Sequence, residues 1–424
     1  MPKGSGIATY ARNLNAALAA LGHETQILFS STRDQDPNNL MNEVAIVDVP
    51  PLEQKLTPLK RLGRHRPAFR PTAWPVTPTG DVDMREVANR FPACDRVWAS
   101  RDIFHASNRA HSALGRFTPV RLGGETQTDL MHWTCALPMY EPRMSNLYTL
   151  HDLVPLRLPF TTLDNKRNFH AMAREIVERA ERVVTVSEHS RADIIRILGA
   201  PEDKVINTYQ AVDVPERYRS LPDEEVANEI ESMFDLGWRD YFLFYGAIEP
   251  KKNLARIVEA YLTSGSRRPL VIVGGRSWLD EDQMQLVYED IVQTSLLREG
   301  VLRRADRVRQ YDYLPFRLLV SLIRGARATL FPSLYEGFGL PVLESMLLGT
   351  PVLTSTEGSL PEVAGEAALM VDPYDVNAIR AAIRALDADT DLRQSLTTLG
   401  RAQAEKFSPA RYRERLADLY RPLI

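Results

Sequence analysis

Residues 330–366 read LFPSLYEGFGLPVLESMLLGTPVLTSTEGSLPEVAGE, and the succession of residue types in this stretch decides the architecture. The apolar run ATLFPS, from Ala328, is short and bounded by a loop, as a buried strand would be. It passes into Tyr335-Glu336-Gly337-Phe338-Gly339-Leu340-Pro341, and an apolar helical pattern follows at once. Glycines at 337 and 339 let backbone come close to a ligand. Pro341 suits the first turn of a helix, where its missing N–H costs nothing. Unpaired amides and the positive end of the helix dipole then face whatever lies beyond the strand, and a diphosphate suits that place. Glu336 falls in the loop and Glu344 about one turn into the helix, so the two carboxylates reach one ligand from opposite ends. Hydrogen bonds from sugar hydroxyls to such charged groups contribute roughly 1.5–3 kcal/mol each. Two solvated glutamates would be the plainer reading, and the density of glycine, proline and apolar residues around them argues against it.

Working outward, the same alternation recurs. From Tyr241 the strand candidates are YFLFYGA, PLVIVGG, RVRQY, ATLFPS, TPVLTS and ALMVD, separated by helical stretches such as NLARIVEAYLTS and PVLESMLLG. An earlier series comprises TQILFS, EVAIVDV, IFHAS, NLYTL, RVVTVS and KVINTY, with helices at YARNLNAALAALG and at 168–182. Buried strands alternating with helices predict parallel sheets covered on both faces. Two successive series predict two Rossmann-like domains, joined near 209–240 by a stretch rich in Pro, Glu and Asp. A chain of 424 residues accommodates both.

Composition narrows the function. The net charge of −3 gives no support to nucleic-acid binding. Cys94 and Cys135 are the only cysteines, too few for a disulfide scaffold or a cysteine-rich zinc site. No apolar run is long enough to cross a membrane, and the first residues, MPKGSGIATYARN, lack the apolar core of a signal peptide. These features predict a cytoplasmic protein. Residues 50–80 differ from the rest, with seven prolines and a basic run of Lys55, Lys60, Arg61, Arg64, Arg66 and Arg70. That run is either a Pro-rich surface loop or a patch at 55–70 that touches anionic lipid on the inner face of the plasma membrane.

The 330–366 stretch resembles the Glu-x7-Glu motif of the large retaining glycosyltransferase family known as family 4, which includes many bacterial mannosyl- and glucosyltransferases. The resemblance implies an α/β GT-B fold, two Rossmann-like domains facing each other across a deep cleft, with the final helix crossing back to the first domain. By motif, it assigns Glu336 to the donor sugar hydroxyls and Glu344 to the ribose. Backbone groups of Phe338, Gly339 and Leu340 would line the sugar diphosphate. FYGAIEPKKNLARIVEAY resembles the family's basic element, so Lys252, with Lys251 beside it, would neutralise the diphosphate as the glycosidic bond breaks. Ala247 stands where an arginine often follows the glycine. KGSGIATY, with Gly6, resembles the glycine loop facing the cleft, and TLHDLVPLRLP places His151 and Asp152 near the donor sugar. The family normally sets a short strand before that glycine loop; either it lies upstream of this sequence or the first sheet lacks it.

The resemblance implies domains of 1–208 plus 409–424 for the acceptor and 209–408 for the nucleotide sugar. The implied reaction moves a hexose, with GDP-mannose preferred over a UDP-hexose, to a lipid-linked (polyprenyl-diphosphate) or oligosaccharide acceptor in polysaccharide assembly. No motif marks a carboxylate nucleophile, and the family is usually interpreted through same-face attack with the leaving phosphate taking the acceptor's proton. Five scattered Asp-x-Asp copies argue for chance, so no divalent ion or other cofactor is expected. The competing reading is a non-catalytic nucleotide-sugar-binding or scaffold protein with the same fold.

Overall fold

The computed structural model describes residues 6–47, 71–83, 93–124, 128–275, 293–298 and 301–424. The basic run at 55–70 and residues 3–5 of the glycine loop lie outside them.

The second half is built on one six-stranded, fully parallel sheet. Its strands, in spatial order, are Val308–Tyr311, Leu270–Val273, Phe242–Tyr245, Ala328–Phe331, Val352–Ser355 and Leu369–Val371. Counted within the sheet, that order is 3-2-1-4-5-6. The order therefore reverses between Phe242–Tyr245 and Ala328–Phe331, and ligands of open α/β sheets bind beyond the carboxyl ends of the strands at such a reversal. Phe242, Leu243, Phe244, Leu270, Val271, Ile272, Leu330 and Phe331 are fully buried, because helices cover both faces of the sheet.

The first half carries two four-stranded sheets. One is parallel throughout, with Val205–Asn207, Arg182–Thr185, Ser145–Thr149 and Leu130–Trp133 as successive neighbours. The other is mixed: Gln26–Ser31 runs parallel to Arg96–Arg101, Thr72–Val76 pairs antiparallel with Arg96–Arg101, and Arg121–Leu122 closes the edge.

Two strand expectations in this half fail. EVAIVDV lies largely in the helix Asn39–Val47, and IFHAS opens the helix Ile103–Leu114. In the second case Ile103, Ser107 and His111 are the buried positions, a spacing of four that belongs to a helix face. In the first, Asn42 and Glu43 are buried as hydrogen-bonding partners, Asn42 of Asp36 and Glu43 of Thr79. A short apolar run does not by itself distinguish helix from strand.

The opening helix, Gly6–Ala20, buries Tyr10, Leu14 and Ala17. The closing helix, Pro409–Tyr420, packs on it and buries Tyr412, Leu416, Leu419 and Tyr420. The Asn13 amide donates to the Ala211 carbonyl, and the Val212 N–H to that of Phe407, so the two passages between the halves lie side by side. Among the described residues, no helix is long and apolar enough to cross a membrane.

Candidate functional site

The two strands that flank the reversal of strand order deliver the candidate side chains. After Tyr245 the chain turns through Gly246 into the short 3-10 segment Pro250–Lys252. After Phe331 it enters the loop that carries Glu336. The Lys252 ammonium donates to Glu336 Oε1 at 2.6 Å, with side-chain exposures of only 12% and 8%. Lys252 also lies 4.8 Å from the centroid of the Phe331 ring.

Both loops are pinned by backbone contacts. The Leu334 N–H donates to the Lys251 carbonyl at 2.7 Å. Asn253, buried and left-handed at φ 63°, donates its amide to the carbonyls of Pro332 and Pro373 at 3.0 and 2.7 Å. The Ser359 hydroxyl bonds to the carbonyls of Glu336 and Phe338 at 2.9 and 2.7 Å. Sequence reasoning missed Asn253 and Ser359. An Asn directly ahead of an apolar helix pattern was the available signal for Asn253; Ser359 offered none.

Charge follows from burial and pairing. Burial alone would push the Glu336 carboxyl up, but Lys252 and Lys251 outweigh it and hold it below the usual carboxylate range. Burial works against the Lys251 ammonium, yet Glu336, Asp152 and Glu249 raise it above an ordinary lysine. Glu344 sits elsewhere, in the second turn of the helix Leu340–Leu347, where burial pushes its carboxyl up and the nearby Tyr245 hydroxyl opposes the shift. That helix starts at Gly339, φ 112°, with no side-chain cap on its first amides. The Phe338 ring turns into the core against Tyr209 and Phe407, leaving only its backbone to face a ligand.

The first half contributes the opposing wall. Gly337 lies against it so closely that a Cβ there would come within 2.8 Å of both Asp152 Cβ and the His151 carbonyl oxygen. Only glycine fits that approach. Asp152 caps the Val154 N–H at 3.0 Å. His151 Nε2 lies 2.9 Å from the Thr134 carbonyl. A carbonyl only accepts, so Nε2 carries the proton and Nδ1 is the bare nitrogen. Burial pushes the imidazole below its ordinary value, against the pull of the Thr134 carbonyl and Asp152. The Tyr10 ring meets His151 edge-on at 4.7 Å. Gly6 opens the same helix one turn earlier and is exposed.

The structure thus brings Lys251, Lys252, Glu336 and Gly337 together with His151 and Asp152, while Glu344 sits apart on the following helix. Two ammonium groups, an ionised carboxylate and an uncapped helix start suit an anion that also carries hydroxyl groups. Among the described residues no three His, Cys, Asp or Glu side chains group as metal ligands would.

Comparison with known proteins shows the family and the fold. A family model for glycosyl transferases group 1 matches residues 230–403, and one for a glycosyl transferase 4-like domain matches residues 5–207. The O-antigen chain mannosyltransferase B of Escherichia coli is 36% identical over 323 residues, covering 74% of this chain and 73% of that protein. Sucrose-phosphate synthase from Thermosynechococcus elongatus superposes with a TM-score of 0.62 at 20% identity, over 99% of this chain and 94% of that one. WaaG, a glycosyltransferase involved in lipopolysaccharide biosynthesis, superposes at 0.60 and 14% identity, over 98% and 96%. At those identities the two structures speak for the fold alone, and that fold is GT-B. With both halves matched and a relative above one-third identity across most of its length, the chain belongs to the group 1 glycosyl transferases.

Proposed function

We propose that the protein transfers mannose from GDP-mannose, with retention of configuration, to a saccharide on a lipid-linked carrier during assembly of an O-antigen-type polysaccharide. One observation carries the reading: the buried Lys252–Glu336 pair at the reversal of strand order, next to Gly337, which closes on the His151–Asp152 backbone. Mannose is chosen over other hexoses because of the 36% identity to an O-antigen chain mannosyltransferase.

In this scheme residues 209–408 bind the donor, and residues 1–208 with 409–424 bind the acceptor. Lys252 and Lys251 meet the diphosphate together with the amides of Phe338, Gly339 and Leu340, stabilising the negative charge that develops on the leaving group. Glu336, freed from Lys252 by the diphosphate, accepts from the sugar hydroxyls, while Glu344 takes the ribose. Neutral His151 and Asp152 face the sugar from the other wall, with Gly6 at the cleft's edge. The leaving phosphate receives the acceptor's proton, and no divalent ion takes part.

A panel of nucleotide sugars, assayed for thermal stabilisation and slow hydrolysis with and without EDTA, tests the scheme. GDP-mannose should give the largest response, unaffected by EDTA, and Glu336→Ala should lower turnover at least tenfold, on the order of a lost charged hydrogen bond. Response to a UDP-hexose alone would overturn the choice of donor. No response to any donor would leave the scaffold reading.

The basic run at 55–70 is assigned, in the same proposal, to anionic lipid at the membrane that carries the acceptor. Arg61, Arg64 and Arg66 changed together to Ser should weaken association with anionic vesicles, most clearly at low salt. Equal binding by variant and parent would remove the patch from the scheme.

A further inference from the structure

Asp193 lies outside every motif in the sequence, on the helix Glu188–Leu198 of the first half. Its side chain is 5% exposed. A buried carboxylate is costly unless it is paired, and this one is paired with both walls of the cleft at once. Its Oδ2 accepts from the Tyr335 hydroxyl at 2.8 Å and faces Arg157 Nε at 3.3 Å. Oδ1 accepts from Arg196 at 2.6 Å. Because Asp193 can only accept, Tyr335 must donate, and burial and the neighbouring Asp193 keep the phenol protonated. The His189 ring meets the Tyr335 ring edge-on at 5.4 Å.

The two arms of this contact are short. Tyr335 is one peptide bond from Glu336. Arg157 ends the four-residue helix Val154–Arg157, whose first amide is held by Asp152. One carboxylate therefore spans the loop that presents Glu336 and the segment that presents His151 and Asp152. The helix Glu188–Leu198 touches the second half twice more: the Ser190 hydroxyl lies 3.4 Å from the Gly337 carbonyl, and the Glu188 N–H donates to Glu362 at 3.0 Å.

We infer that Asp193 is a positioning residue for sugar transfer, a clamp that sets Glu336 against His151 and Asp152 through Tyr335 and Arg157. The inference rests on the donor-site reading above for its catalytic consequence.

The test is a double-mutant cycle between Tyr335→Phe, which removes one hydroxyl, and Glu336→Gln. Tyr335→Phe alone should lower kcat roughly tenfold, the size of one hydrogen bond to a charged group. It should change the Kd for GDP far less than kcat, since the hydroxyl it removes bonds to Asp193 in the first half. In the Glu336→Gln background it should cost nothing further, because the group it positions is gone. Asp193→Asn should lower kcat at least as much. Unchanged kcat in Tyr335→Phe, or losses that simply multiply, would overturn the clamp. If Glu336→Gln itself leaves transfer intact, the donor-site reading fails instead. Amide hydrogen exchange in Tyr335→Phe then decides, since it does not depend on turnover. Faster exchange in both 151–157 and 333–338 upholds the clamp; a change confined to 333–338 overturns it.

Discussion

The two walls of the cleft handle buried polar groups in opposite ways. On the second-half wall, burial is opposed by charge: Lys251, Lys252 and Glu336 sit together, and charge outweighs burial at Lys251 and Glu336. On the first-half wall, burial around Tyr10 and His132 meets hydrogen bonds and not opposite charge. His132, between the Thr149 hydroxyl at 2.8 Å and the Tyr420 hydroxyl, is pushed down to about 3 by burial, with His151 adding to the effect. Tyr10, 2.9 Å from the same Thr149, is pushed up to about 12 by burial. A fixed set of charges recognises an anionic leaving group. A neutral wall of hydroxyls and imidazoles keeps the local dielectric low, which strengthens each interaction the charged wall makes. The two depend on each other, although the ammonium groups that suit an anion lie on only one.

The largest expected effect comes from breaking the charged wall. Lys252→Met leaves the Glu336 carboxylate buried without its 2.6 Å partner. Urea denaturation should show a loss of roughly 3 kcal/mol, the usual cost of stranding one member of a buried pair. Adding Glu336→Gln should recover most of that stability and none of the transfer. A Lys252→Met protein as stable as the parent would show that the wall does not depend on this pair.

The neutral wall predicts a smaller, pH-dependent effect. An unfolded histidine titrates near 6.5 and the folded His132 near 3. Between those values the unfolded chain binds one proton more, so stability falls as the pH drops through that window. His132→Gln should flatten the decline measured from pH 6.5 to 4.5 by up to one proton. His151 contributes in the same direction and remains. A slope identical to the parent's would mean that His132 is already protonated in the fold.

The contrast between the walls also explains what could be read from the sequence. Every strand of the six-stranded sheet was visible, the inner ones most plainly, since a strand buried on both faces leaves an apolar run such as FLFY or LVIV. Of the mixed sheet in the first half, TQILFS was visible as the strand Gln26–Ser31 and the other strands were not. Its strand Thr72–Val76 contains Pro75, which argues against a central strand, and Arg96–Arg101 has charged residues at both ends. The Glu336 and Lys252 loops could be found because each is local: a few residues of defined type between a strand and a helix. Asp193 and His132 could not. Asp193 meets Tyr335 across 142 residues, and His132 meets Tyr420 across 288. No local pattern records such a meeting.

The contact between His132 and Tyr420 has a consequence for biosynthesis. The strand Leu130–Trp133 leaves the ribosome long before residue 420 is made, and the opening helix earlier still. Until the closing helix arrives, Tyr10 and His132 lack the surface that buries them and the first half has an unfinished core. The two halves are therefore not independent folding units. The second can close its sheet as it emerges, whereas the first, though synthesised earlier, is the last to be completed.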